Sequence, residues 1–296
     1  MPMEDSDRDR GKKKIAFVLS GGGSLGSIQV GMIKGLFERG IIPDFFVGTS
    51  VGAINAAFMC GNPTMDGVLA LERIWLSVRG IDILPTGLIT SIIRILRRKN
   101  YLVSHQGLRR LLEKHLPFTT LGETKITCLL IATDILTGDQ VVLSSGNAVN
   151  AILASSALPG IFPAVEMAGR ILIDGAVSSN TPLSVAAEYG AKEVFVLPAG
   201  YASTLQKPPS GVVDIFLHSL NILVAQQFLR DIEIFRKTID IHILPPINIK
   251  NTFFSDVSMT KAYLSLSYES TKQWLESGGI NTFTIPGRMN KPNQWL

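Results

Sequence analysis

Cysteine is scarce in this chain: Cys60 and Cys128 are the two among 296 residues. Both lie in apolar stretches, AAFMC and ITCLLIA, so no disulfide framework and no cysteine-based metal pattern can be built from them. They read as buried free thiols. Long hydrophobic runs are missing too, since no stretch reaches the roughly 18 apolar residues that a membrane span requires. The N-terminus, MPMEDSDRDRGKKK, is polar and lacks the apolar segment of a secretory signal. Together these absences predict a cytoplasmic protein, with any membrane contact peripheral. No loop clusters the oxygen ligands of a calcium site, and neither a metal nor another cofactor is expected. Charge of one sign is also weak. The 28 basic and 24 acidic residues leave a formal net charge of +4, which is too little to argue for nucleic acid.

What is present is apolar material: 46% of residues are hydrophobic and 18% charged, enough for a sizeable core. The length suits one large α/β domain or two small ones. With no boundary in the composition, the expectation is a polar, disordered tail over residues 1–11 and a single domain over 12–296, its motifs falling within about 14–200. KIAFVLS reads as a buried strand that turns at SGGG, followed by a helix from Ser24 to Arg39 that Gly40 ends. DFFVGTS is a second strand and VGAINAAFMCG a second helix. This alternation implies parallel strands joined by right-handed crossovers. KITCLLIATD, DQVVLSS, RILID, KEVFVLP and TIDIHILP continue the strands, with a hairpin at Thr137-Gly138-Asp139.

Two short motifs carry chemistry. Gly21, Gly22, Gly23 and Gly26 lie where the first strand enters the first helix. Glycines there let a ligand approach the backbone, and amides at a helix N-terminus favour negative charge. Three readings are open for this loop: an oxyanion hole, a dinucleotide site because the spacing also fits G-x-G-x-x-G, or a plain tight turn. A dinucleotide site needs an acidic residue at the C-terminal end of the second strand, to hold the ribose. Asp44 stands at the opposite end. The C-terminal end carries Gly48-Thr49-Ser50-Val51-Gly52 instead, a G-x-S-x-G sequence between a strand and a helix, which is the context of a nucleophile elbow. Both loops fall at the C-terminal ends of parallel strands, so they are expected to face one crevice.

A serine nucleophile needs a base. His105 and His115 flank a helical segment, His218 falls within a helix, and His242 alternates within a strand; of the four, His242 is the remaining histidine candidate. Asp174 is the better one. It ends the strand RILID and is followed by Gly175 and Ala176, which leave it accessible. A free carboxylate is a weak base at neutral pH, and burial beside the hydroxyl would raise its pKa.

These blocks together resemble the patatin-like phospholipases. They read in order as Gly21-Gly22-Gly23-Ser24-Leu25-Gly26, then Gly48-Thr49-Ser50-Val51-Gly52, then Ser155-Ser156-Ala157-Leu158-Pro159-Gly160-Ile161-Phe162-Pro163, then Asp174-Gly175-Ala176, with Asn180-Thr181-Pro182 after the aspartate. The resemblance covers most of the chain. It implies a three-layer α/β/α fold with a mostly parallel sheet and a dyad of Ser50 and Asp174 with no histidine. It also implies an oxyanion hole in the glycine loop, supported by Gly48, Gly52 and Gly175, and hydrolysis of acyl esters of phospholipids or lysophospholipids. The sequence departs from the family at Leu25, where the family often carries Arg or Lys.

Two helical segments complete the reading. Leu88, Ile89, Ile92, Ile93 and Leu96 would form one face of a helix over 87–99, opposite Arg94, Arg97 and Arg98. Such a basic amphipathic helix suits an anionic bilayer, a lid or an ordinary core position. The long apolar pattern from Val212 to Lys237 is read as core or subunit contact, with the oligomeric state left open. The alternatives to hydrolysis are acyl transfer by the same dyad, a dinucleotide-binding protein, and a lipid-binding module without catalysis.

Overall fold

The computed structural model describes residues 13–78, 101–200, 208–209, 211–247 and 257–283. The expected tail over 1–11 and the segment 87–99 lie outside them. The chain runs β1 (Ile15–Leu19), α1 (Gly26–Glu38), β2 (Phe45–Thr49), α2 (Val51–Gly61), α3 (Met65–Ser77), α4 (Gln106–His115), β3 (Thr127–Asp134) and β4 (Gln140–Leu143). It continues through α5 (Ala148–Ser155), β5 (Val165–Met167), β6 (Arg170–Asp174), α6 (Ala176–Ser179), α7 (Leu183–Glu188), β7 (Glu193–Leu197), α8 (Val212–Phe235), β8 (Asp240–Ile243) and α9 (Thr260–Glu276).

One mixed sheet holds the molecule together, with hydrogen-bonded order β5-β6-β3-β2-β1-β7-β8 and β4 also on β3. The run β3-β2-β1-β7-β8 is parallel throughout. Its central strands are apolar on both faces, as a sheet covered by helices on both sides demands. Phe17, Leu19, Phe46, Leu130 and Phe195 face a core shared with α1 to α5 and α9. Ala16, Val18, Phe45, Val47, Leu129 and Val196 face α7 and the C-terminal half of α8. The result is a three-layer α/β/α fold.

Register fixes where the ends of β2 and β6 lie. β2 pairs with Thr127–Ile131 of β3, while β6 pairs antiparallel with Ala132, Thr133 and Asp134. β4 pairs with Leu130 to Thr133 and so overlaps both partners. A residue offers one neighbour per edge, so β4 must take one edge of β3, and β2 and β6 share the other. β2 and β6 therefore meet head to head, C-terminus to C-terminus. Thr49 ends one opposite Ile131, and Asp174 ends the other opposite Ala132.

The strand carrying Asp174 is the return arm of a β5–β6 hairpin, turned through Ala168 and Gly169 at φ 52° and 73°. Helix α8 is not core along its whole length. Phe228 and Ile232 are buried against the sheet, whereas Val212, Ile215, Phe216, Ile222 and Leu223 in its N-terminal half are exposed. A 24-residue helix is about 36 Å long, roughly twice a five-residue strand, so α8 is longer than the strands it packs on. Among the described residues no helix is long and apolar enough to cross a membrane.

Candidate active site

Ser50 sits between the last residue of β2 and the first turn of α2, with φ 55° and ψ −121°. For a residue with a Cβ this is a strained conformation that persists only where the surroundings enforce it. Glycines on either side make the turn feasible. A Cβ on Gly48 would lie 2.4 Å from the Gly52 carbonyl oxygen, and one on Gly52 would lie 2.3 Å from that of Leu19. The turn sets Ser50 beside Asp174, whose charged form the Ser50 side chain favours. This contact follows from the head-to-head strands, which bring the two chain ends to one point. A Cβ on Gly175 would lie 2.2 Å from the Ile131 carbonyl oxygen, so only glycine lets the chain leave β6 that close to β3.

Asp174 is buried, 1% exposed. It also accepts a 2.8 Å hydrogen bond from the Ala176 amide. Burial pushes its pKa up from 3.8 to about 6, and the hydrogen bonds from Ala176 and Ser50 hold back part of the rise. The carboxylate is thus still ionised at neutral pH, yet far more basic than one in water.

The glycine loop lies beside this pair. A Cβ on Gly21 would come within 3.2 Å of Ser50 Cβ and 2.5 Å of Asn180 Oδ1. The Gly21 amide donates to the Asn180 carbonyl at 3.3 Å, which links the loop to the Asn180-Thr181-Pro182 segment. Gly22 packs against Ala199, and Gly26 packs against Val51 and Trp75 at the start of α1. Among the described residues the Gly22 and Gly23 amides have no acceptor, while Gly21 is already engaged. Leu25 packs against the core.

The Ser155–Pro163 block, legible as a motif but without a role in the sequence, is the strut of the site. Ser155 Oγ accepts the Ser50 amide at 3.0 Å and donates to the Ile131 carbonyl at 2.5 Å. The Ser155 carbonyl accepts the Gly175 amide at 3.3 Å, and that of Ala157 accepts the Asp174 amide at 3.0 Å. One short segment therefore holds the serine and the aspartate in common register. Ser155→Ala leaves the buried Ser50 amide without its acceptor, a loss of about 1–3 kcal/mol. It is expected to lower kcat about tenfold with KM within twofold; ester-hydrolysis kinetics checked against a melting curve measure both effects.

Neither His242 nor His105 is bonded to Ser50 or Asp174. His242 lies mid-strand on β8, opposite Phe195, and pairs with Glu193 Oε1 at 2.9 Å. His105 stacks on Phe162 with ring centroids 5.1 Å apart. Burial, assisted by Arg109, lowers its pKa to about 4, so it is neutral. Asp44 accepts the Ile15 amide at 2.7 Å, at the start of β1 and thus at the edge opposite the glycine loop, where it cannot serve a ribose. Cys60 and Cys128 are both buried and free. Among the described residues no group of His, Cys, Asp and Glu could hold a metal ion.

Sequence reasoning passed over three buried residues behind the loop: Gln29 on α1, Asn55 on α2 and Trp75 on α3. Gln29 and Asn55 are fully buried. The available signal was a lone amide in each of two otherwise small and apolar helix stretches, GSIQVGMI and VGAINAAFM.

A serine at a strained strand-to-helix turn, a buried aspartate beside it and a glycine loop alongside make up the candidate site of an α/β protein. The family model for patatin-like phospholipase matches residues 17–187, more than half of the chain, and the chain belongs to that family. An uncharacterized NTE family protein of Mycobacterium tuberculosis is 30% identical over 174 residues, 58% of this chain and 28% of the relative. The lysophospholipase NTE1 of Saccharomyces cerevisiae is 29% identical over 198 residues, 64% and 11% respectively. The patatin-like phospholipase domain-containing protein 7 of Rattus norvegicus is 28% identical over 188 residues, covering 63% of this chain and 14% of the relative. The chain thus spans less than a third of the length of these relatives. Among solved structures, human GIVD cytosolic phospholipase A2, in complex with methyl gamma-linolenyl fluorophosphonate, aligns with a TM-score of 0.50 at 12% identity. That alignment covers 94% of this chain and 60% of the other, a likeness of fold.

Proposed function

We propose that the protein is a serine acyl hydrolase that cleaves fatty-acyl esters of phospholipids or lysophospholipids with Ser50 as nucleophile and Asp174 as base. The observation that carries this reading is the head-to-head meeting of β2 and β6, which sets Ser50, at its strained turn, beside the buried Asp174 carboxylate. The choice of lipid substrate draws on the family and on the lysophospholipase among the relatives.

In the first half-reaction Ser50 Oγ attacks the ester carbonyl carbon as Asp174 takes the hydroxyl proton. The carbonyl oxygen becomes an oxyanion that accepts hydrogen bonds from the Gly22 and Gly23 amides; one such donor is typically worth about 3 kcal/mol. Collapse expels the alcohol or lysolipid, which leaves with the proton held by Asp174. In the second half, Asp174 deprotonates a water that attacks the acyl-Ser50 ester. Its collapse releases the fatty acid and returns the proton to Ser50 Oγ. Each proton taken by Asp174 is given back within the same half-reaction, so no second base is required.

Two measurements test the reading. An alkyl fluorophosphonate should form one covalent adduct, and mass spectrometry of the digest should locate it on Ser50; an adduct confined to any other serine would refute the nucleophile. The pH profile tests the base. Only ionised Asp174 can accept the proton, so kcat/KM should rise through about pH 6 and level off above pH 7. A limb centred near pH 4, or one carried by a group titrating above 8, would contradict the assignment.

A further inference from the structure

A set of amide hydrogen bonds ties α1, α2 and α3 to both ends of the glycine loop. Gln29 Nε2 donates to the Ser20 carbonyl at 2.8 Å and to the Leu197 carbonyl at 3.0 Å. Asn55 Nδ2 donates to the Gly26 carbonyl at 2.9 Å and to Gln29 Oε1 at 2.8 Å. Trp75 Nε1 donates to Asn55 Oδ1 at 2.8 Å. Both hydrogens of each amide are used, and each amide oxygen accepts one bond. Gln29 and Asn55 are 0% exposed, and the surrounding side chains are apolar.

Two polar side chains in an apolar layer cost desolvation, and a network that failed to satisfy them would be worse than two leucines. Here the satisfied groups have a specific address. Ser20 is the residue before Gly21, and Gly26 is the first residue of α1; the amides therefore hold the two carbonyls that bracket Gly21 to Leu25. Fixing a carbonyl fixes the peptide plane it belongs to. The Ser20 carbonyl shares its peptide unit with the Gly21 amide, itself bonded to Asn180. At the other end the Gly26 carbonyl is held by the helix that begins at Val51, directly after the serine. Gln29 also reaches Leu197 at the end of β7, beside β1 in the sheet. The loop's glycines have little intrinsic stiffness. Its geometry must come from these anchors.

We propose that Gln29 and Asn55 are a positioning pair. By pinning both ends of the glycine loop to the helix of the nucleophile, they set the direction of the Gly22 and Gly23 amides relative to Ser50. This inference rests on the reading of Ser50 as the nucleophile and of the loop as its oxyanion donor. Neither side chain touches substrate. Trp75 secures the far side of Asn55, and its ring packs on Gly26. The arrangement couples serine and loop as one unit, so that a shift in α2 carries both.

The test uses the full chain and a short-chain p-nitrophenyl ester, with rates expressed per folded molecule from near-UV circular dichroism. Gln29→Met and Asn55→Leu keep the side-chain volumes and remove the amides. Each is expected to lower kcat between about 10- and 100-fold with KM within twofold, because a displacement of about 1 Å in an oxyanion donor costs that much. The rate of Ser50 modification by an alkyl fluorophosphonate should fall in parallel, since that attack uses the same donors. The Gln29→Met/Asn55→Leu double variant should be no slower than the worse single one, as expected for residues acting as a unit. Should these variants fail to fold, Trp75→Phe keeps the ring on Gly26 and removes only the outer donor; it is expected to lower kcat about threefold at unchanged KM. Variants that melt earlier yet turn over and label at the wild-type rate per folded molecule would overturn the proposal and leave the serine assignment standing. A wild-type protein that neither hydrolyses the ester nor labels at Ser50 would overturn the reading on which it rests.

Discussion

Ser50→Ala is expected to lower acyl-ester hydrolysis by roughly 10³-fold or more, to the level that an oxyanion loop and binding alone sustain. The effect is large because the serine is the atom that forms the covalent bond, and nothing else in the site can replace it. Asp174 could activate a water directly, but no hydroxyl would then sit at the elbow to start the acyl-enzyme route. Stability should hardly change. The hydrogen bond that fixes the elbow comes from the Ser50 backbone amide to Ser155 Oγ, which alanine preserves. Alanine also carries the same strain at φ 55° as serine does. Steady-state kinetics and a melting curve on the same preparation check both halves. A melting temperature within about 2 °C of wild type and a rate lower by three orders of magnitude is the expected pair.

Asp174→Asn is expected to be as inactive as the serine variant and, at neutral pH, more stable than wild type. The loss of activity follows from the loss of a proton acceptor, since an amide oxygen is not a base at any pH in which the protein folds. The gain follows from linkage. Burial raises the folded-state pKa to about 6 from an ordinary 3.8, so the folded protein holds the carboxyl proton more tightly than the unfolded chain does. A carboxylate shifted upward disfavours the folded state wherever it is ionised in both states. The penalty is absent below about pH 4, grows between 4 and 6, and is complete above 6. A shift of about two units corresponds to about 3 kcal/mol at pH 7. Asparagine carries no charge to desolvate and keeps an oxygen for the Ala176 amide. The variant should therefore melt several degrees above wild type at pH 7 to 8, and the gap should close as the pH falls towards 4. A destabilised Asp174→Asn across that whole range would mean that burial does not strain this carboxylate as argued. A catalytically competent one would remove Asp174 from the mechanism.

Much of the site could be read before the fold was known, because its chemistry is carried in contiguous segments. Glycine spacing around Ser50 dictates a tight turn wherever the strand and helix end up. The opening strand–helix–strand–helix pattern implies parallel strands, and β1 and β2 do pair parallel, since a crossover helix leaves little choice of direction. Asp174 was legible for the same reason, as a polar end to an apolar strand followed by glycine. The direction of that strand was not. Whether RILID lies parallel or antiparallel depends on the Ala168-Gly169 turn and on which edge of β3 is vacant beyond Ile131, and the second of these is a property of the assembled sheet. The Gln29–Asn55 pair was hidden for a related reason: two lone amides 26 residues apart in sequence become a network only once their helices are stacked. In α8 the apolar pattern was visible, but periodicity alone does not say where the neighbouring layer ends. Val212, Ile215, Phe216, Ile222 and Leu223 are the apolar residues of α8 that stay exposed.

The measurement that bears most directly on the central claim is fatty-acid release from mixed phospholipid vesicles by the wild-type protein, with Ser50→Ala and Asp174→Asn as controls at equal folded concentration. The account predicts steady release of free fatty acid by wild type and background release by both variants. Equal release by wild type and Ser50→Ala would contradict it, because the lipid chemistry would then not pass through the serine at the β2–α2 turn.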